Sequence, residues 1–77
     1  MTNAEFLLQL DRIIEASPGT LKGDEALADI LEWDSITVLG FMAMVDEKFR
    51  MQLSVKDISA CKTVADLKQL LGDRITP

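Results

Sequence analysis

The chain has no histidine, no tyrosine, one cysteine and two prolines among 77 residues. Each shortage excludes something. Without histidine there is no Ser-His-Asp or Cys-His nucleophile system and no His-ligated zinc. One cysteine cannot close an internal disulfide, so a stapled miniprotein is excluded and a reducing, cytoplasmic setting is expected. No apolar run approaches the roughly 20 residues of a membrane span. No basic segment leads into an apolar stretch at the start, so no signal peptide is expected. The length admits a single domain, expected over 1–77 with its core over about 3–72. A hydrophobic share of 48 % is too high for intrinsic disorder.

Bases are missing from one stretch. The net charge of −5 comes from 8 Lys/Arg against 13 Asp/Glu. Residues 24–47 hold Asp24, Glu25, Asp29, Glu32, Asp34, Asp46 and Glu47 and not one base. Residues 48–77, by contrast, carry six bases and three acids. An acidic centre of this kind repels nucleic acid and anionic lipid and attracts basic protein surfaces.

Periodicity supplies the helices. Thr2 and Glu5 have capping-box spacing. Behind them Phe6, Leu7, Leu10, Ile13 and Ile14 make one apolar stripe, with Asp11, Arg12 and Glu15 off it. Ser17-Pro18-Gly19-Thr20 stops this helix, predicted over about 3–16. Residues 17–34 form a connection too long for a passive loop. Leu21, Leu27, Ile30 and Leu31 are expected to pin it, with a helical turn near 25–30. Asp34-Ser35 offers an N-cap pair for a second helix. Val38, Phe41, Met42, Val45 and Phe49 form its core stripe, with Leu39 at the edge. The opposite face reads Ile36, Thr37, Gly40, Ala43, Met44 and Glu47, small and apolar for a solvent face. Gly40 there implies close approach by a partner or by another helix, since glycine costs about 1 kcal/mol against alanine.

Met51 to Val55 reads as a connector. Ser54 and Asp57 start a short third helix ending near Ala60. Thr63 caps a fourth, with Val64, Leu67, Leu70 and Leu71 as its stripe. Gly72 is placed as its left-handed C-terminal residue, and residues 73–77 are expected to fray. Cys61 reads as a small buried residue. The fold class is all-α: a small four-helix bundle, one helix short, with a long first loop.

Chemistry concentrates at Asp34-Ser35. A serine at a helix N-terminus sits at the positive end of the macrodipole, where backbone N–H groups suit a phosphate. As an enzyme nucleophile it has no base within its own segment. Asp24, Glu25 and Asp29 lack the alternating spacing and central glycine of a calcium loop, so no metal site is expected.

The stretch Leu31-Glu32-Trp33-Asp34-Ser35-Ile36 resembles the Asp-Ser-Leu modification motif of the acyl carrier protein family. The resemblance covers nearly the whole chain. The first amphipathic helix, the acidic loop, the helix opening on Asp-Ser, Phe49 near its end, the short third helix and Thr63-Val64-Ala65-Asp66-Leu67 occur in the family's order. It implies a non-enzymatic carrier whose serine, here Ser35, is esterified with 4′-phosphopantetheine from coenzyme A by a separate magnesium-dependent phosphopantetheinyl transferase. Acyl groups then ride on the arm's thiol as thioesters. The implied recognition residues are Asp34, Ile36, Gly40, Ala43, Asp46, Glu47 and Trp33. Implied partners are the transferase and acyl-loading and acyl-processing enzymes with basic patches, with no nucleic acid and the carrier a monomer.

Four departures stand out. Glu32 replaces the family's glycine, Trp33 is bulky, Ile36 replaces leucine, and Gly40 stands where an acid is common. They point to a specialised carrier in lipid, polyketide or related biosynthesis, not a housekeeping one. Trp33 is either a partner anchor or a cover for the loop's own core. A fatty cargo would need a cavity between helices, which Met42, Met44 and Met51 could open or fill. The alternatives are an aminoacyl or peptidyl carrier of the same fold, and a helical interaction module that uses Ile36, Gly40 and Met44.

Overall fold

Four local N-caps set the helix starts in the computed structural model, which describes residues 1–77. Helix α1 spans Asn3–Ile13, α2 Ser35–Phe49, α3 Val55–Ser59 and α4 Val64–Leu71. Thr2, Asp34, Ser54 and Thr63 each accept from the backbone of the first turn, and a side chain three residues on reaches back. Reciprocal caps of this kind satisfy donors that a helix start otherwise leaves to water. A 3₁₀ turn, Leu27–Asp29, lies in the first loop where a turn is expected. No strand is present, and the all-α bundle is the observed class.

The core is built from Phe6 and Leu10 of α1 and Ile14 at its C-cap, Phe41, Met44 and Val45 of α2, Ile58 of α3, and Val64, Leu67 and Leu71 of α4. Leu21, Leu27, Leu53 and Ile75 complete it from the connections. Phe41 stands edge-on to Phe6 with ring centroids 6.3 Å apart. Such aromatic contacts add about 0.5–1.5 kcal/mol beyond the area they bury.

Several expectations are corrected. Helix α1 ends at Ile13 instead of 16, because Glu15 takes a positive φ of 58° and turns the chain. Asp11 is not on the outside: it is 1 % exposed. Its carboxylate accepts from the Gly19 N–H at 2.9 Å and the Leu21 N–H at 3.0 Å. It therefore ties the start of the first loop onto α1. Periodicity misses this because a buried aspartate looks like a surface one until its partners, eight and ten residues away, are known.

Leu31, expected as a core anchor, is 93 % exposed. Leu21 and Leu27 do anchor the loop. Backbone bonds hold its far side to the α3–α4 link: the Leu27 N–H donates to Lys62 O at 2.9 Å, and the Val64 N–H donates to Glu25 O at 3.0 Å.

Helix α2 is rotated from the expected register. Met44, placed outside, is buried, whereas Val38, Met42 and Phe49 are only half-buried and Leu39 is exposed. Gly40 faces α1 in this orientation. A Cβ built there would lie 3.4 Å from Ile13 Cγ2 of α1. The bare glycine admits α1 on that side, and Met44, one turn on, follows Gly40 inward. Gly40 thus lies against α1.

Residues 73–77 do not fray. They continue in a short 3₁₀ turn, and Ile75 is buried. The Asn3 N–H donates to Thr76 O at 2.8 Å and the Thr76 N–H to Met1 O at 2.9 Å, so the last residues lie beside the first. The core therefore extends past residue 72. Gly72 has the expected positive φ, 58°, but its ψ of −132° lies outside the left-handed helical region.

Candidate functional site at the start of α2

Asp34 and Ser35, an undivided pair in the sequence, take separate roles in the fold. Asp34 is the cap: its Oδ1 accepts from the N–H groups of Ile36 and Thr37, both at 3.0 Å. The Asp34 N–H donates to Thr37 Oγ1 at 2.7 Å, and that hydroxyl donates back to Asp34 O at 2.9 Å. Ser35 is then the first helical residue, exposed and free of the capping role. Sequence reasoning does not single out Thr37 for this reciprocal role. Its spacing from Asp34 is the available signal.

One expectation about this helix start changes. The N–H groups of Ile36 and Thr37 are already engaged by the Asp34 carboxylate, so they do not form a cradle for a phosphate. The macrodipole remains favourable, though the Asp34 charge offsets part of it. The Ser35 side chain is exposed to solvent.

Trp33 fixes the approach to the site. Its backbone N–H donates to Ile30 O at 3.0 Å, and its ring is edge-on to Phe41 with centroids 6.2 Å apart. A chain of rings thus runs Trp33–Phe41–Phe6, from the residue before the cap into the core. Trp33 is half-buried, packing on the loop's own core while it also lines the open groove between the first loop, α2 and α3.

The other named residues separate. Ile36, Ala43, Asp46 and Glu47 are exposed with Ser35, while Gly40 is turned toward α1. Glu32 and Asp34 flank the serine on the acidic side. No group of three or more acids or thiols is placed to hold a metal ion. Glu25 is occupied by the loop itself. Its carboxylate accepts from the N–H groups of Lys22 and Gly23 at 2.7 and 2.9 Å. Partial burial works against its charge, but these N–H donors outweigh it and hold its pKa below the usual range.

Between the first loop, α2 and α3 lies an open groove of about 480 Å³, lined mainly by hydrophobic residues but with polar atoms making up the larger part of its exposed surface. Leu27, Ile30, Leu31, Trp33, Val38, Ile58 and Cys61 are among its lining residues. Met42, Met44 and Met51 do not line it; Met44 is buried in the core, and Met42 and Met51 pack against it. Cys61 is half-buried and unpaired, with its thiol 3.6 Å from Asp57 O. Burial, then the nearby Asp66 and Asp57 charges, push its pKa up, which keeps it a poor nucleophile.

The chain matches the family model of the phosphopantetheine attachment site over residues 9–71. It belongs to that family: a non-catalytic carrier domain that takes a covalent 4′-phosphopantetheine arm and works with a phosphopantetheinyl transferase and partner enzymes. No curated protein and no solved structure matches it. No helix is long and apolar enough to cross a membrane.

Proposed function

We propose that Ser35 is the attachment point and that the chain is an acyl carrier, holding acyl intermediates as thioesters on the arm. The observation that carries the first part is the division of roles at the helix start. Asp34 supplies the cap, so the Ser35 hydroxyl is exposed and uncommitted at the first helical position. The hydrophobic side chains of Leu27, Ile30, Trp33, Val38 and Ile58 along the groove between the first loop, α2 and α3 support acyl over aminoacyl or peptidyl cargo, because an aliphatic chain gains by contact with them. The departures at Glu32, Trp33, Ile36 and Gly40 support a specialised carrier in lipid, polyketide or related biosynthesis. The single domain of residues 1–77, the monomeric state and a cytoplasmic location belong to the same reading.

The test is intact-mass spectrometry after incubation with a broad-specificity transferase, magnesium and coenzyme A. One added arm is expected on the wild type and none on Ser35→Ala. Arm addition to Ser35→Ala would move the site elsewhere. For cargo, a holo form loaded with an aliphatic acyl group should show a higher thermal midpoint than the unloaded holo form. An equal midpoint, or a rise only with aminoacyl cargo, would overturn the acyl assignment.

A further inference from the structure

A second concave surface lies at the end of α1 away from Ser35. The start of α2 meets α1 at its last turn, where Ile13, Ile14, Asp34 and Ile36 line one notch. Asn3 stands at the other end of α1, ten residues before Ile13, or about 15 Å at 1.5 Å per residue. There α1, the first loop and α4 frame a cleft of about 290 Å³, with Phe6, Leu7 and Val64 in its lining and Asn3, Lys22 and Lys68 around them. Leu7 also lines a second depression of about 300 Å³, together with Ala4, Leu8, Gly19 and Leu21. The two therefore adjoin along one face of α1. Asp11 also lines the second depression, but its oxygens are taken by the Gly19 and Leu21 N–H groups, and the exposed surface there is almost wholly apolar.

The charges at this surface have the opposite sign from those beside Ser35. Lys68 Nζ donates to Asn3 Oδ1 at 3.2 Å, and Lys22 Nζ donates to Gly19 O at 2.7 Å. Neutral oxygens thus hold one ammonium group at the edge of the cleft and the other at the edge of the apolar depression. Asp24 is the one acid in the cleft lining, against two lysines. The neighbouring Glu25 spends its oxygens on the Lys22 and Gly23 N–H groups.

We propose that this surface docks an acidic amphipathic helix of a partner protein, with an aliphatic side chain seated over Leu7, Leu8 and Leu21 and carboxylates reaching Lys22 and Lys68. Both depressions are open on one side, whereas a small-molecule site buries most of its ligand. A helix laid across them needs only one face, and residues three or four apart bring an aliphatic side chain and a carboxylate to that face together. Charge sets the sign of the partner: the two ammonium groups favour an acidic segment and disfavour a basic one. A partner held here leaves the start of α2 uncovered, so the chain can be tethered while Ser35 is in use. The docking itself requires no arm on Ser35.

The probe is a synthetic alanine-based helical peptide with leucine and glutamate four residues apart, titrated into the isotope-labelled protein with backbone amide shifts as the readout. Shifts are expected at Leu7, Leu8, Gly19, Leu21, Lys22 and Lys68, with residues 35–47 unmoved. Lys22→Glu combined with Lys68→Glu should weaken binding about tenfold, and a peptide with lysine in place of glutamate should recover most of that loss. Leu8→Asn, a change on the exposed side of α1, should weaken binding about threefold. No shift at these residues, or equal affinity of the wild type for the glutamate and lysine peptides, would overturn the docking surface. Unchanged binding by the double variant would overturn it too. Ser35→Ala separates this inference from the carrier reading, since that variant should take no arm and yet bind the peptide as the wild type does. A wild type that takes no arm but binds the peptide would overturn the carrier reading alone.

Discussion

The two sides of α2 both carry apolar residues in its first three turns and are opposite in what they do. Inward, Phe41 and Val45 are fully buried and Met44 nearly so. Outward, Ser35, Ile36, Leu39 and Ala43 meet water. The inward side holds the bundle together. The outward side is exposed to solvent. A helix with enough apolar residues to be buried all round thus has a free side, and that side carries the candidate site.

The largest effect that would break the contrast is on the inner side. Phe41→Ala removes the ring between Phe6 and Trp33 and should cost about 3–5 kcal/mol, read as a shift in the denaturant midpoint. By comparison, Phe49→Ala, only half-buried, should cost about 1–2 kcal/mol, less than a full core truncation. Equal losses at the two positions would mean that Phe49 is as central as its spacing suggests.

Asp11→Ala comes next. It strands the Gly19 and Leu21 N–H groups and should cost about 1–3 kcal/mol, with faster amide exchange across residues 17–21. A neutral result would show that water replaces the carboxylate freely.

Gly40 tests the α1 contact directly. Gly40→Leu should push α1 away and cost about 1–3 kcal/mol by overpacking. Gly40→Ala should lie near neutral, because the new methyl meets Ile13 at an ordinary contact distance and the helix gains propensity. A neutral Gly40→Leu would return that position to the outer side.

The smallest effect is on acid stability. Glu5, Glu25, Asp57 and Asp66 all titrate below their usual values in the fold. For Glu5 and Asp57 the donors are the backbone and hydroxyl of Thr2 and Ser54, respectively. For Asp66 they are the Lys62 and Thr63 N–H groups and the Thr63 hydroxyl. A folded pKa below the unfolded one means the charged form is preferred in the fold. Its contribution is present above the unfolded value, near 4.5 for Glu and 3.8 for Asp, and is lost as pH falls through the folded value. Glu25→Gln should therefore flatten the acid limb of stability below about pH 4.5 and change little at neutral pH. An unchanged acid limb would show that the loop holds without that carboxylate.

Much of this is legible in the residues because it is local. All four caps are side chains three residues from the groups they serve, and Thr2, Asp34, Ser54 and Thr63 are readable from spacing. The Asp34-Ser35 pair and the turn near Leu27 are legible for the same reason. What is not legible depends on distant neighbours. Asp11 is buried because Gly19 and Leu21 fold back to it. Ile75 is buried because the last residues lie beside the first. Leu31 is exposed because Trp33, not Leu31, fills the space above Phe41.

The sequence alone determined the number and order of the helices, their starts, the acidic stretch and the serine that follows the cap. Those follow from periodicity and from contacts within one helical turn. Only the tertiary structure decided which way α2 faces. A period of 3.6 residues says that an apolar stripe exists, but a helix apolar on nearly every side has no single stripe to read. The rotation was settled by the neighbour it packs against: α1 comes in over Gly40, Met44 turns in, and Ile36 and Leu39 are left beside Ser35 in water.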